Sequence, residues 1–535
     1  FKFPPPDGFQ PLNLSNVQLE KVIARPDQYF GVSLWSGNGV SQNITGLKHK
    51  PDFVWIKKRA GGTARSHQLF DSVRGVYQTL HSNSAGVEDT NTNRLTAFNQ
   101  DGFAVGGDDG SNGSGGTFVG WTWKAGGNKN TFNIDDVGYA NASDVNMSVG
   151  ALNSSVYNQS QTWSNDLVSD NGNYFGTQTP AKAFDGDLTT KTTSSTGTGG
   201  TLTLDLSNNN LTGTLEVVTN TGMSVAVTHS GGTTTIAAAT SPDQVETINF
   251  GSLTSISQIV VTGVSAPSNA MLYGIKLNGK ILVDDNQTPP DAPSIAPSGC
   301  SVGTKQGFSI IGYTGTDNAS DTISHGLSQK PDFAIFKNRS QDGDDWIVYH
   351  SSQRATNRGK LNLTNTFDAQ TSQFNNTEPT PSLFTIGTYD NINKLNNNYI
   401  SYIWHDVPGL QKFGEYTGTG FNTNDKEPFI ELGFRPKLIW IKSTTLGHNW
   451  VAFDSERGVI NPVDEMLFLN ENDAEAALDS GDTNTGDLDF DILSNGFKLR
   501  TANHSVNKGS SDTYIYCAWA EAPSIGLYGS QSNAR

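Results

Sequence analysis

The chain has 535 residues, of which 35% are apolar and 16% charged, with 57 glycines, 27 Phe, 15 Tyr, 10 Trp and a net charge of −17. That length exceeds what a single hydrophobic core organises, and this many aromatic residues exclude disorder of the whole chain. The negative charge disfavours nucleic-acid binding, which needs phosphates neutralised by Lys and Arg, and no run of roughly 20 apolar residues is present to cross a bilayer as a helix.

In chain order, the first strong pattern is Lys50-Pro-Asp-Phe-Val-Trp-Ile-Lys-Lys-Arg59, and it returns as Lys330-Pro-Asp-Phe-Ala-Ile-Phe-Lys-Asn-Arg339 and Arg435-Pro-Lys-Leu-Ile-Trp-Ile-Lys-Ser-Thr444. A second phrase follows each: Phe70-Asp-Ser-Val-Arg-Gly75, Tyr349-His-Ser-Ser-Gln-Arg354 and Phe453-Asp-Ser-Glu-Arg-Gly458. Asp101-Gly-Phe-Ala-Val105 and Asn495-Gly-Phe-Lys-Leu499 then read as tight turns entering strands. Each copy closes on an aromatic strand that ends at Trp123, Trp404 or Trp519. Shared order and near-equal spacing define three homologous domains, expected as one β-sandwich each over 27–136, 306–411 and 412–535. The two cysteines, Cys300 and Cys517, cannot make a disulfide framework and read as buried thiols.

Residues 137–285, rich in Thr, Ser, Asn and Gly, are of another character and read as an inserted domain. The alternations Thr201–Leu206, Leu215–Val218, Ser224–Thr228 and Ile256–Thr262 predict half-buried strands of a second kind of sandwich. A Pro-rich linker over 286–305, containing Pro289, Pro290, Pro293 and Pro297, is expected to space the domains. The predicted fold class is therefore all-β: tandem β-sandwich domains with an inserted jelly-roll-like sandwich.

The repeated phrases resemble an uncharacterised repeat family of tail-fibre and other structural proteins of marine and cyanobacterial phages. The opening Phe1-Lys-Phe-Pro-Pro-Pro-Asp-Gly-Phe-Gln-Pro-Leu-Asn13 is similar to the segment leaving a SPRY-like domain in such proteins, which makes 1–26 the exit segment of an upstream domain. Pro180-Ala-Lys-Ala-Phe-Asp-Gly-Asp-Leu-Thr-Thr190 and Leu272-Tyr-Gly-Ile-Lys-Leu-Asn278 resemble the galactose-binding-like, discoidin-type sandwich. These resemblances imply a virion component, assembled in the host cytoplasm and acting outside the cell. Its partners would be a host surface glycan or envelope protein and other virion proteins, in a homo-oligomer of the trimeric kind common in fibres. A structural spacer or decoration protein is the alternative, and a polysaccharide-degrading enzyme a remote one.

The discoidin-type turn implies a structural calcium, for which Asp185 and Asp187 offer hard oxygens beside Gly186. The family's aromatic after this turn is replaced here by Lys191-Thr-Thr-Ser-Ser195. Tyr157, Trp163 and Tyr174, aromatics outside the repeats, are the candidate ligand-facing residues, whereas Trp123, Trp404 and Trp519 recur at one position and are expected in the core. Trp35, Tyr313 and Tyr416, in the opening strands, fit either role. No nucleophile elbow, phosphate-binding loop or metal-spaced histidine cluster is present, and the Gly-rich stretch Gly106–Gly116 reads as a flexible hairpin tip.

Overall fold

The computed structural model describes residues 22–142, 156–157, 161–209, 211–238, 244–264, 269–285, 293–327, 329–420, 427–477 and 490–522. The upstream exit segment expected at 1–26 lies, but for its last residues, outside them. The chain is nearly all β, as its composition predicts. It divides into two units: residues 1–140, 297–321 and 329–535 form the first, and residues 141–296 with 322–328 form the second. No helix among the described residues is long and apolar enough to cross a membrane.

In the first unit each repeat folds on one plan. The opening strand pairs with the closing strand, which pairs with the strand of the Pro phrase, which pairs with the strand ahead of the second phrase. In repeat 1 these strands are Phe30–Ser36, Thr117–Trp123, Phe53–Ala60 and Gln68–Asp71, all antiparallel. Repeat 2 uses Phe308–Thr314, Asn398–Trp404, Phe333–Asn338 and Ile347–His350 in the same order. Repeat 3 uses Gln411–Thr417, Thr513–Ala520, Pro436–Ser443 and Val451–Asp454. A second, three-stranded layer covers one face in repeats 1 and 3, built on the hairpins Leu95–Asn99 with Gly102–Val105 and Phe490–Leu493 with Gly496–Leu499. Gly102 and Gly496 are required there: an added Cβ would lie 1.8 Å from the Ile44 carbonyl oxygen and 2.0 Å from that of Ile430.

The other face of each four-stranded sheet decides the architecture. Side chains alternate along a strand, so Val54 and Ile56 enter the core beneath the second layer, while Phe53 and Trp55 enter a different core. That core is common to all three repeats and contains Phe53, Trp55, Trp121 and Trp123, then Phe333, Ile335, Tyr402 and Trp404, then Leu438, Trp440, Cys517 and Trp519. A strand buried on both faces explains why the Pro phrase is continuously apolar.

Two expectations need correction. Residues 299–303, expected in the linker, form a buried strand that pairs with Phe308–Thr314 and, in parallel, with Phe132–Ile134. Gly106–Gly116 is no loose tip: Asp109–Asn112 is a helical turn with Gly110, Ser111 and Asn112 buried. Asn112 donates through Nδ2 to Asn38 Oδ1, Val40 O and Gly106 O. Asn393 and Asn507 plug the matching loops of the other repeats, so the turn is held by a buried amide network.

The second unit packs two sheets over its own core. One contains Leu211–Asn220, Val245–Ile256 and Met271–Leu277, the other Thr201–Asp205, Met223–His229, Gly232–Ala237 and Gln258–Gly263. Leu202, Leu204, Leu215, Val217, Val225, Val227, Ile259 and Val261 fill the space between, as the alternation predicts.

Candidate functional site

The residues that recur in the three repeats join them to one another. Trp123, Trp404 and Trp519 meet edge to face, with ring centroids 6.3, 6.2 and 5.4 Å apart and interplanar angles of 67°, 70° and 74°. This is the favoured arrangement of aromatic quadrupoles. All three are buried, as their recurrence predicts.

Around this centre the contacts run in one sense. Lys57 of repeat 1 donates to Asn472 O of repeat 3, Lys442 of repeat 3 to Thr364 O of repeat 2, and Lys337 of repeat 2 to Ala85 O of repeat 1, at 2.8, 2.9 and 3.0 Å. His67, Trp450 and Trp346 repeat the cycle through ring nitrogens, to Phe468 O, Lys360 O and His81 O, each at 2.9 Å. Tyr402 Oη donates to Asp71 Oδ2 at 2.7 Å and Trp121 Nε1 to Asp454 Oδ2 at 3.0 Å. At the third junction Cys517 and His350 occupy the corresponding places, with His350 facing the Tyr516 carbonyl at 3.4 Å. Each repeat therefore touches the next by the same surface, a heterologous contact that closes after three steps.

Burial sets the protonation of these groups. It lowers Lys57 and Lys337 to about 8 and Lys442 to about 7, and His350 to about 4. Asp71–Arg74 and Asp454–Arg457 are fully buried pairs at 2.5 and 2.6 Å. Glu88 bridges Arg74 to Arg339 of repeat 2, and Glu475 bridges Arg457 to Arg59 of repeat 1. The third junction drops the ladder as a set: Gln353, Phe367 and Thr444 stand where the others have Arg, Glu and Arg.

Of the sequence-predicted site residues, Trp163 is corrected outright. It is fully buried in the second unit's core, on a turn pinned by Ser164 N and Oγ donating to the Asp284 carboxylate at 3.0 and 2.6 Å. Tyr174 is half-buried, and its hydroxyl donates to Leu167 O at 3.0 Å and accepts from Ser169 N at 3.2 Å, so it clamps a loop. Tyr157 lies in the short strand Val156–Tyr157, and its side chain is outside the described residues. Trp35, Tyr313 and Tyr416 all donate to the buried helical-turn carbonyls Ser111 O, Ile392 O and Val506 O, which settles them as packing residues.

Asp185 Oδ1 accepts from Asp187 N at 3.0 Å and its Oδ2 from Thr190 Oγ1 at 2.8 Å; Asp187 Oδ1 accepts from Thr189 N and Oγ1 at 2.9 and 2.7 Å. The Thr189 bonds hold the Asp187 carboxyl below the usual range. These oxygens face N–H and O–H donors within their own turn, with Gly186 at φ +83°, so the set as arranged fits a self-capped turn and does not fit a calcium cage. No group of three His, Cys, Asp or Glu suited to a metal occurs among the described residues.

One open polar site, in repeat 1, escaped sequence reasoning. A cleft of about 380 Å3 is lined by Arg65, Gln68, His81, Arg94, Asp108 and Asp109, among others. Asp109 takes Lys58 and Arg65 at 2.8 and 2.6 Å, and Arg94 reaches Asp89 at 2.5 Å. His81 Nδ1 faces His67 O at 2.6 Å; a carbonyl only accepts, so this nitrogen carries the proton and Nε2 is left toward Asp89, 3.7 Å away. The signal was present in Gln68, a polar residue at a strand position where the other repeats have Ile347 and Val451.

A family model, Domain of unknown function (DUF7483), matches residues 25–150 and 291–523. The chain belongs to the DUF7483 family. The stretch left unmatched corresponds to the second unit, which therefore interrupts the DUF7483 region. No curated protein matches the chain. Among solved structures, the mycobacterial arabinofuranosyltransferase AftD is similar at 12% identity over 64% of this chain and 32% of that one, with a TM-score of 0.16. A second AftD structure gives 12% identity, 66% and 34% coverage and the same TM-score of 0.16. The chain thus spans about a third of AftD, and likeness at that level carries no argument about fold or activity.

Proposed function

We propose that this DUF7483 protein is a non-catalytic attachment component of a bacteriophage virion, tail-fibre or adhesin-like, that engages the host surface through glycan or envelope contacts. The observation that supports this reading is how the chain allocates its chemistry. The recurring Trp, Lys and Asp–Arg residues of the repeats join the repeats to one another, and a polar cleft opens in repeat 1. A packed scaffold that carries a polar cleft suits holding a ligand rather than transforming it. The homotrimer implied by the phage resemblance would bring together three such bodies, giving avidity from weak sites.

The test is binding of the purified chain to host cells and to a glycan array, with mass measured by light scattering. Saturable cell binding by the folded chain supports attachment. Folded protein that ignores cells but binds other virion subunits would replace it with the spacer reading, and release of reducing sugar from host polysaccharide would replace it with the enzyme reading.

A further inference from the structure

The three repeats act as internal controls for one another, because a position the fold constrains should carry similar chemistry in all three. Gln68, Ile347 and Val451 occupy one strand position, and all are buried. Ser111, Ile392 and Val506 occupy another, on the helical turn. Repeats 2 and 3 show that the fold is satisfied by aliphatic residues at both places. Repeat 1 puts polar side chains there, and Gln68 Oε1 and Ser111 Oγ are buried without a hydrogen-bond partner among the described residues. Leaving a buried acceptor unmet costs about 1–3 kcal/mol, a cost that the aliphatic residues of repeats 2 and 3 avoid.

The surroundings of Gln68 change with it. Its Nε2 donates to Asp108 Oδ1 at 2.8 Å, where repeat 2 has Tyr389 and repeat 3 has Asn503. Tyr389 lies over the Arg358 guanidinium at 4.5 Å, so in repeat 2 aromatic bulk stands where repeat 1 has a short carboxylate. Gly110 gives way to Asn391 and Ser505, and a Cβ on Gly110 would stand 2.2 Å from Gln68 Nε2. Arg94, whose guanidinium pairs with Asp89 through Nη1 and with Asp108 through Nε at 3.5 Å, corresponds to Gln373.

We propose that this repeat-1 cleft is a saccharide-binding site, and that repeats 2 and 3 retain the scaffold without the site. The inference rests on the attachment reading above and names its ligand class. The lining offers the Gln68 amide, whose Oε1 has no hydrogen-bond partner among the described residues, and two arginines balanced by Asp89, Asp108 and Asp109. A charge-balanced polar lining with an open acceptor suits an uncharged ligand that donates hydrogen bonds, as the hydroxyls of a neutral sugar ring do. The cleft volume, about 380 Å3, is within the roughly 300–1,000 Å3 of small-molecule sites.

The experiment uses the full chain and its Gln68→Val and Arg94→Gln variants, which install residues that repeats 3 and 2 already carry. Binding of methyl glycosides of neutral hexoses, N-acetylhexosamines and uronic acids is read by saturation-transfer NMR and calorimetry, beside host-cell binding. The expected result is binding of a neutral glycoside by the parent, at least tenfold weaker in both variants, with both variants still melting in a cooperative transition above the assay temperature. Glycoside binding that both variants keep would overturn the cleft assignment and leave attachment standing. Cell binding without any glycoside binding would overturn the ligand class alone, and preference for uronic acids would overturn the neutral assignment. Failure to bind cells or glycosides by the folded parent would sink the attachment reading and this one with it.

Discussion

Trp404→Ala tests whether the three repeats share one core. The indole is fully buried, with ring centroids at 4.6 Å from Phe308, 5.5 Å from Phe333, 6.2 Å from Trp519 and 6.3 Å from Trp123. Two of those neighbours belong to other repeats. Truncating a buried Trp costs about 3–5 kcal/mol through lost transfer energy and the cavity left behind, and each aromatic pair adds about 0.5–1.5 kcal/mol. A loss at the upper end of about 3–5 kcal/mol is expected. The loss should be distributed: hydrogen exchange should quicken in Phe53–Trp55 and Leu438–Trp440 as well as in Phe333–Ile335, because Trp123 and Trp519, which face the vacated space, stand on the strand paired with each. Calorimetry should show the repeats melting in one transition, before and after the change. Loss of protection confined to repeat 2, or three separable repeat transitions in the parent, would refute the shared core.

Other outcomes follow from the junctions and turns. Arg457→Ala should cost about 3–5 kcal/mol by stranding the buried Asp454 carboxylate, measured by urea unfolding, whereas Arg25→Ala, which removes an exposed pair with Asp27, should leave the urea midpoint unchanged. Lys57, Lys337 and Lys442 are held near 8, 8 and 7 in the fold against about 10.4 in the unfolded chain. The unfolded state therefore binds more protons between those values, and stability should rise from pH 7 to pH 9.5. The triple Lys→Met variant should flatten that rise in urea midpoints. Asp185→Ala should cost about 1 kcal/mol from the lost turn bonds, and a chelator should leave the melting temperature unchanged. A calcium-dependent increase in that temperature would show instead that the turn opens to take the cation.

The strands were legible because period-two alternation and paired turn signals are local. Phe53–Ala60, Phe333–Asn338 and Pro436–Ser443 fall on the Pro phrases, and Thr201–Asp205 and Met223–His229 on the alternations of the second unit. The cleft was hidden for the opposite reason: Arg65, Gln68, His81, Arg94 and Asp108 come from separate segments, and one-dimensional spacing says nothing of their convergence. Trp163 misled because aromatic character and loop context fit either a surface anchor or a core plug, and the bonds from Ser164 to Asp284, far along the chain, decide between them.

The sequence by itself determined the class, the repeat number and the faces of each strand, since these follow from side-chain alternation and turn chemistry within a few residues. It even held a sign of the shared core, because Phe53-Val-Trp-Ile56 is apolar on both faces and a half-exposed sheet needs only one. What only the tertiary structure decided is how the second face is covered. Burying it within each repeat would have made three independent domains. Burying it against the other two closes a cycle in which Trp123, Trp404 and Trp519 meet. That choice depends on complementary surfaces from residues hundreds of positions apart, such as His67 with Phe468 and Tyr402 with Asp71, and complementarity of that kind exists only once the chain has folded.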